Sequence, residues 1–155
     1  MPDDWGGRRP GAGRKPKGAV AMVSHKKRPE HSARFPLYVV LRLRPEVAPL
    51  RRAVVQDALQ AGSDRFGFRL VQVSIDGLQL HLIVEAKDRL ALIRGMHGLT
   101  IRIARTVNRV SGRRGHVFAD HYEARELRTA EEVREVLEKH GGGAPIAEAR
   151  TRFLR

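Results

Sequence analysis

Gln79 and His81 are the side chains of this sequence best spaced to share a divalent ion. They lie in the run Leu78-Gln79-Leu80-His81-Leu82-Ile83-Val84-Glu85-Ala86. Its alternation predicts a strand with Leu78, Leu80, Leu82 and Val84 on one side and Gln79, His81 and Ile83 on the other. One pleat repeat, roughly 7 Å, separates the amide from the imidazole, a span that one metal ion can bridge. The plainer alternative is a surface Gln and His on an ordinary hairpin. Ile75-Asp76-Gly77-Leu78 offers an Asp-Gly turn just before the run, so the strand is expected to pair with residues 66–75. His97, His116 and His121 are further imidazoles that could complete a ligand set, although their positions fit packing or solvation as well.

The elements that would hold this pair are legible in the hydrophobic periodicity. Residues 37–44 alternate, with Leu37, Val39, Leu41 and Leu43 inward and Tyr38, Val40, Arg42 and Arg44 outward, and Pro45 stops the strand. Leu50, Val54, Ala58 and Leu59 give a helical stripe over residues 48–61, ended by Gly62. Asp88 is placed to cap a long helix over about residues 89–110, whose apolar stripe is Leu92, Met96, Leu99, Ile103 and Val107. Residues 116–127 read as an irregular fourth strand. Thr129 caps a last helix to about His140, ended by Gly141-Gly142-Gly143. The order is βαββαβ with an added C-terminal helix, an α+β ferredoxin-like arrangement. Its two main helices cover one sheet face. The other face is expected to be open and to carry Tyr38, Arg42, Arg44, Gln79 and His81.

Charge points to the partner class. The 155 residues carry 30 basic and 17 acidic side chains, a formal net charge of +13. Residues 1–34 hold nine Lys/Arg against three acids and lack apolar periodicity, so they read as a basic, disordered arm. The expected organisation is this arm, a folded domain over 35–140 and a flexible tail over 141–155. Nucleic acid is the default partner of such a chain. Within the arm, Gly7-Arg8-Arg9-Pro10-Gly11-Ala12-Gly13-Arg14-Lys15-Pro16 resembles an AT-hook, in which extended Arg side chains lie in a narrow minor groove. Arg8, Arg9, Arg14 and Lys15 are its candidate DNA contacts, with a non-specific basic tail as the alternative. Arg94, Arg102, Arg105 and Arg109 line one face of the long helix, and Arg113 and Arg114 sit in a basic turn. Of these, Arg102, Arg105, Arg109, Arg113 and Arg114 join Arg42 and Arg44 as candidate DNA-backbone contacts. Cysteine is absent, which excludes disulfides and thiolate metal sites. No apolar run approaches the ~20 residues of a membrane span, and no membrane partner is expected. A cytoplasmic, nucleoid-associated location is the expectation.

Four stretches together resemble the single-tyrosine HUH transposases, the IS-two-hundred type and its repeat-associated relatives. They are Arg34-Phe35-Pro36-Leu37-Tyr38-Val39-Val40-Leu41-Arg42, the His81 strand, Arg94-Gly95-Met96, and Val117-Phe118-Ala119-Asp120-His121-Tyr122-Glu123-Ala124-Arg125. The resemblance spans roughly residues 24–140. It implies a ferredoxin-like fold, recognition of hairpins in single-stranded DNA, and transposase activity through single-strand cleavage and strand transfer. It also implies a divalent metal, Mg²⁺ or Mn²⁺, held by a His-hydrophobic-His pair, and a tyrosine on the last helix that forms a 5′-phosphotyrosine link. A homodimer is one assembly it allows.

Two positions depart from that pattern. Gln79 stands where the first His of the pair would be, leaving His81 with a weak, uncharged oxygen ligand as its neighbour. Lys139 stands where the nucleophilic tyrosine would fall, and Tyr122, the last tyrosine of the chain, is a poor substitute because it precedes the last helix. The expectation is therefore a family relative that binds hairpin DNA without cutting it. The competing reading is a ferredoxin-like RNA-binding or regulatory module. Phe66 and Phe68 would supply base-stacking aromatics, but the Arg/Lys-Gly-Phe pattern of an RNA-recognition motif is missing.

Overall fold

The structure, a computed structural model, describes residues 26–47, 55, 58–59, 64–65 and 67–140. Five antiparallel strands make one sheet: β1 (Leu37–Arg42), β2 (Asp64–Arg65), β3 (Phe68–Asp76), β4 (Gln79–Ala86) and β5 (Glu123–Glu126), in the order β2-β3-β4-β1-β5. Without the two-residue β2 this is the ferredoxin-like strand order, so the expected α+β fold is the one found. Helices α1 (Arg89–Ser111) and α2 (Ala130–His140) complete the described elements.

The main core lies between the sheet and α1. Leu37, Val39, Leu41, Leu80, Leu82 and Val84 point toward Leu92, Met96, Leu99, Ile103 and Val107, and all are buried. That helical stripe is the one the 3.6-residue period predicts. Asp88 caps α1 by accepting a hydrogen bond from Ala91 N at 2.7 Å. Val55, Ala58 and Leu59 are helical and buried. Leu50 and Val54, the other expected members of that stripe, lie outside the described residues.

The β3–β4 turn falls one residue later than expected. Asp76 pairs with Gln79, so Gly77 and Leu78 form the loop, and Gly77 has a φ of 54° that favours glycine. This register puts Ser74 opposite His81 and leaves Asp76 on the same sheet face as His81. A bulge at Val71 restores the core phase further along, where Leu70 pairs with Val84.

The face away from α1 is not left bare, because the added C-terminal helix lies on it. Val71, Ile83, Leu127, Val133 and Val136 form a second buried cluster there, with Tyr38 and Leu137 packed against it. The apolar Ile83 and Val71 on that face require such cover. A reciprocal capping box starts α2: Thr129 Oγ1 accepts from Glu132 N, and Glu132 Oε2 accepts from Thr129 N, both at 3.2 Å. The helix runs to His140, directly over His81. The irregular fourth strand shrinks to Glu123–Glu126, preceded by one bridge between Leu43 and Phe118.

Residues 28–32, which the sequence reading assigns to the arm, lie against the domain. His31 Nε2 bonds Ala86 O at 3.1 Å, Ser32 N donates to Glu126 Oε1 at 2.6 Å, and Glu30 pairs with Arg89 at 2.8 Å. The Arg28 guanidinium sits 3.7 Å from the Tyr122 ring centroid. These contacts tie residues 28–32, inside the expected 1–34 arm, to the sheet and α1. Deleting residues 1–25 is expected to leave the thermal melt unchanged, since their composition offers little to bury. Deleting residues 1–34 should cost about 2 kcal/mol, roughly one charge-assisted hydrogen bond. Circular dichroism melts of the two truncations check this, and equal melting temperatures would refute it.

Candidate metal centre and nucleic-acid face

The side chains gathered under α2 come from four elements. Tyr38 is on β1, Asp76 ends β3, His81 is central in β4 and His140 closes α2. His81 is only 6% exposed, the one buried polar residue among those described. Its Nδ1 lies 2.7 Å from the Tyr38 hydroxyl. Its ring stacks on His140 with centroids 3.8 Å apart and planes 14° from parallel. Its Nε2 is buried and has no hydrogen-bond partner.

A small cavity adjoins these groups, lined by Tyr38, Gln72, Ser74, His81, Ile83 and His140 among others. Its volume of about 10 Å³ is about the room one water or ion needs. Burial, and then the neighbouring His140, pull the His81 pKa below its ordinary 6.5, with Asp76 pulling the other way. His81 is thus favoured as the neutral imidazole, the form that can act as a metal ligand. Burial also raises the Tyr38 hydroxyl above its ordinary 10.0, against the pull of Arg125, so the phenol remains a hydrogen-bonding group.

The donor set fits a divalent ion. Asp76, His81 and His140 each offer one ligand atom, and these atoms lie within 4.8 Å of one another. Sequence spacing singled out Gln79 and His81. Gln79 is exposed at the first residue of β4, on the same face. Asp76 and His140 were missed as ligands for different reasons. Asp76 depended on the one-residue turn shift, and His140 on where the end of α2 lands.

The other sequence candidates are dispersed. Lys139 is exposed, one residue before His140, and its charge reaches His81. Tyr122 packs against the α1-side core, while His81 faces the opposite side under α2. Burial raises the Tyr122 hydroxyl above its ordinary 10.0, against the pull of Arg28, which makes it a poor phenolate source. His97, His116 and His121 are exposed and stand outside the His81 cluster.

Arg8, Arg9, Arg14 and Lys15 lie outside the described residues. Arg42 pairs with Glu123 at 2.9 Å and Arg44 with Glu46 at 3.3 Å, both exposed pairs that cost little to exchange for a phosphate. Arg102 is half-buried, and its Nη1 has no hydrogen-bond partner. Arg113 braces the turn after α1 against Asn108 and His116 O, each at 3.5 Å. Arg105, Arg109 and Arg114 are exposed. Arg125, which sequence reasoning passed over, places its guanidinium 5.3 Å from the Tyr38 ring centroid. Phe68, an aromatic that an RNA-stacking reading would use, is buried at 1% exposure and belongs to the core.

Comparison with known proteins matches the fold and not the sequence. No family model matches the chain, and no curated protein does. Among solved structures the chain is similar to a REP-associated tyrosine transposase bound to a REP hairpin. The TM-score is 0.55 and the identity 12%, covering 85% of this chain and 88% of that one. The two proteins share an architecture. No helix of the described residues is long and apolar enough to cross a membrane.

Proposed function

We propose that this protein is a transposase-like DNA-binding protein that recognises hairpin-containing single-stranded DNA and does not cleave it. The observation that carries this reading is the end of α2, where His140 lies over His81, Lys139 beside it is exposed, and the whole helix lacks a tyrosine. The fold is that of a tyrosine transposase whose solved structure holds a REP hairpin, which supports a structured DNA strand as the partner. Arg105 and Arg109 on α1, Arg114 in the following turn and Arg42 at the sheet's rim are exposed cations for phosphate contact. The basic residues of the N-terminal arm would add contacts to flanking duplex.

Gel-shift titration of the full chain against a hairpin, an unstructured strand and a duplex of equal length tests the reading. The hairpin should bind tightest. Its affinity should fall on the order of 10- to 100-fold between about 50 and 200 mM salt, as about three or four phosphate contacts require. Equal affinity for all three DNAs would reduce the protein to a non-specific polycation and refute hairpin recognition.

A further inference from the structure

Tyr38 and His81 make a hydrogen bond whose direction decides what the buried ring can do. If the hydroxyl donates to Nδ1, the imidazole proton sits on Nε2, buried without an acceptor. If Nδ1–H donates to the hydroxyl oxygen, Nε2 presents a lone pair instead. An unpaired N–H there costs its full desolvation, whereas a lone pair beside a cation is satisfied. The second arrangement is that of a metal-binding histidine, whose other ring nitrogen donates to an orienting partner.

The remaining ligands are positioned by the fold. Strand register sets Asp76 and His81 on one face, and the length of α2 brings His140 onto His81 from above. We propose that Asp76, His81 and His140 bind one transition-metal ion of the Zn²⁺ class, clasping the end of α2 to the β3–β4 hairpin. Two imidazoles and one carboxylate suit Zn²⁺ or Co²⁺, whereas Mg²⁺ prefers oxygen ligands and keeps several waters. Bonds of about 2.0–2.2 Å place tetrahedral ligand atoms about 3.4 Å apart, so atoms now within 4.8 Å of one another must draw in. His81 is fixed by burial, while Asp76 is exposed and His140 ends its helix, so these two side chains supply the movement. Because an imidazole lone pair lies in the ring plane, the His140 ring must also turn off its stack on His81, now 14° from parallel, before both rings can face one ion. Three protein ligands leave a position for water. The nearby Lys139 charge works against the ion, and the Asp76 carboxylate offsets it. This ligand set replaces the Gln79/His81 pair, and its occupancy does not depend on DNA.

The test uses the full chain without DNA, with Zn²⁺ in calorimetry and Co²⁺ as a spectroscopic probe. One equivalent of Zn²⁺ should bind, and Co²⁺ should give the visible bands of a four- or five-coordinate N/O site. His140→Ala and Asp76→Asn should each weaken binding by about tenfold or more while circular dichroism stays native, and Tyr38→Phe should weaken it by about tenfold. His97→Ala, at an exposed imidazole on α1, should bind like the parent, and millimolar Mg²⁺ should not displace Co²⁺. Four outcomes would each overturn the proposal: no heat and no bands, binding that survives both ligand variants, loss of binding in His97→Ala, or displacement by Mg²⁺.

Discussion

Gly95→Ala is expected to destabilise the domain by about 3 kcal/mol, although alanine is the better helix former by about 1 kcal/mol. A Cβ on Gly95 would lie 2.0 Å from Phe68 Cγ and 2.3 Å from Cδ2, far inside contact distance. The Phe68 ring is fully buried at the start of β3, where it packs in the core beneath α1. It cannot retreat without moving the strand, and close-packed interiors resist such shifts. The helix must then lift from the sheet along the stripe that includes Met96 and Leu92. The melting temperature should fall on the order of 10 °C. Phe68→Leu in the Gly95→Ala background should recover part of the loss, because the smaller side chain vacates the clash. A double-mutant cycle in urea measures the coupling. A melt of Gly95→Ala indistinguishable from the parent would show that the strand and helix do not approach as closely as described.

That pair also shows how far the sequence could be read. The stripe Leu92, Met96, Leu99, Ile103 and Val107 was legible because burial on one helix face imposes a period, and the five residues are buried together. The alternation of β1 and β4 was legible for the same reason. Gly95 was visible only as a residue in a motif. Its physical role is to let a ring from another element sit against the helix backbone, and no local pattern encodes that.

The candidate site divides along the same line. His81 was found because it interrupts an apolar alternation, and its face of the sheet followed from parity. Its burial was not foreseen. The expected open face is covered by α2, since Val133 and Val136 have the spacing to seat on Val71 and Ile83. His140 is one residue beyond the helix position that drew attention. Asp76 required the hairpin loop to be Gly77-Leu78 instead of Asp76-Gly77. A one-residue register choice moves a side chain from one sheet face to the other, so site geometry is less legible than fold.

The native protein is expected to form no covalent adduct with hairpin DNA, even with Mn²⁺ supplied. Cleavage of the resembled kind forms a bond from the tyrosine oxygen to the 5′ phosphorus and breaks the bond to the 3′ oxygen, which leaves as a hydroxyl. Lys139 offers no phenol at that place, and an exposed ammonium has no lone pair until it loses a proton. Tyr122 has the phenol, but burial holds its proton on, and it packs on the α1 side while His81 lies under α2. Residues that act as a unit do not contribute additively. Gln79→His alone restores no phenol, and Lys139→Tyr alone restores no imidazole pair, for which a Zn²⁺-class site of Asp76, His81 and His140 is no substitute, so each should also give no adduct. The combined variant restores both the phenol and the imidazole pair, and it should nick only if residue 139, exposed on α2, reaches the site. A denaturing gel of end-labelled hairpin DNA with and without protease reads the result. A protease-sensitive shifted band from the native protein would refute the non-cleaving reading. Its disappearance in Tyr122→Phe would identify Tyr122 as the nucleophile after all.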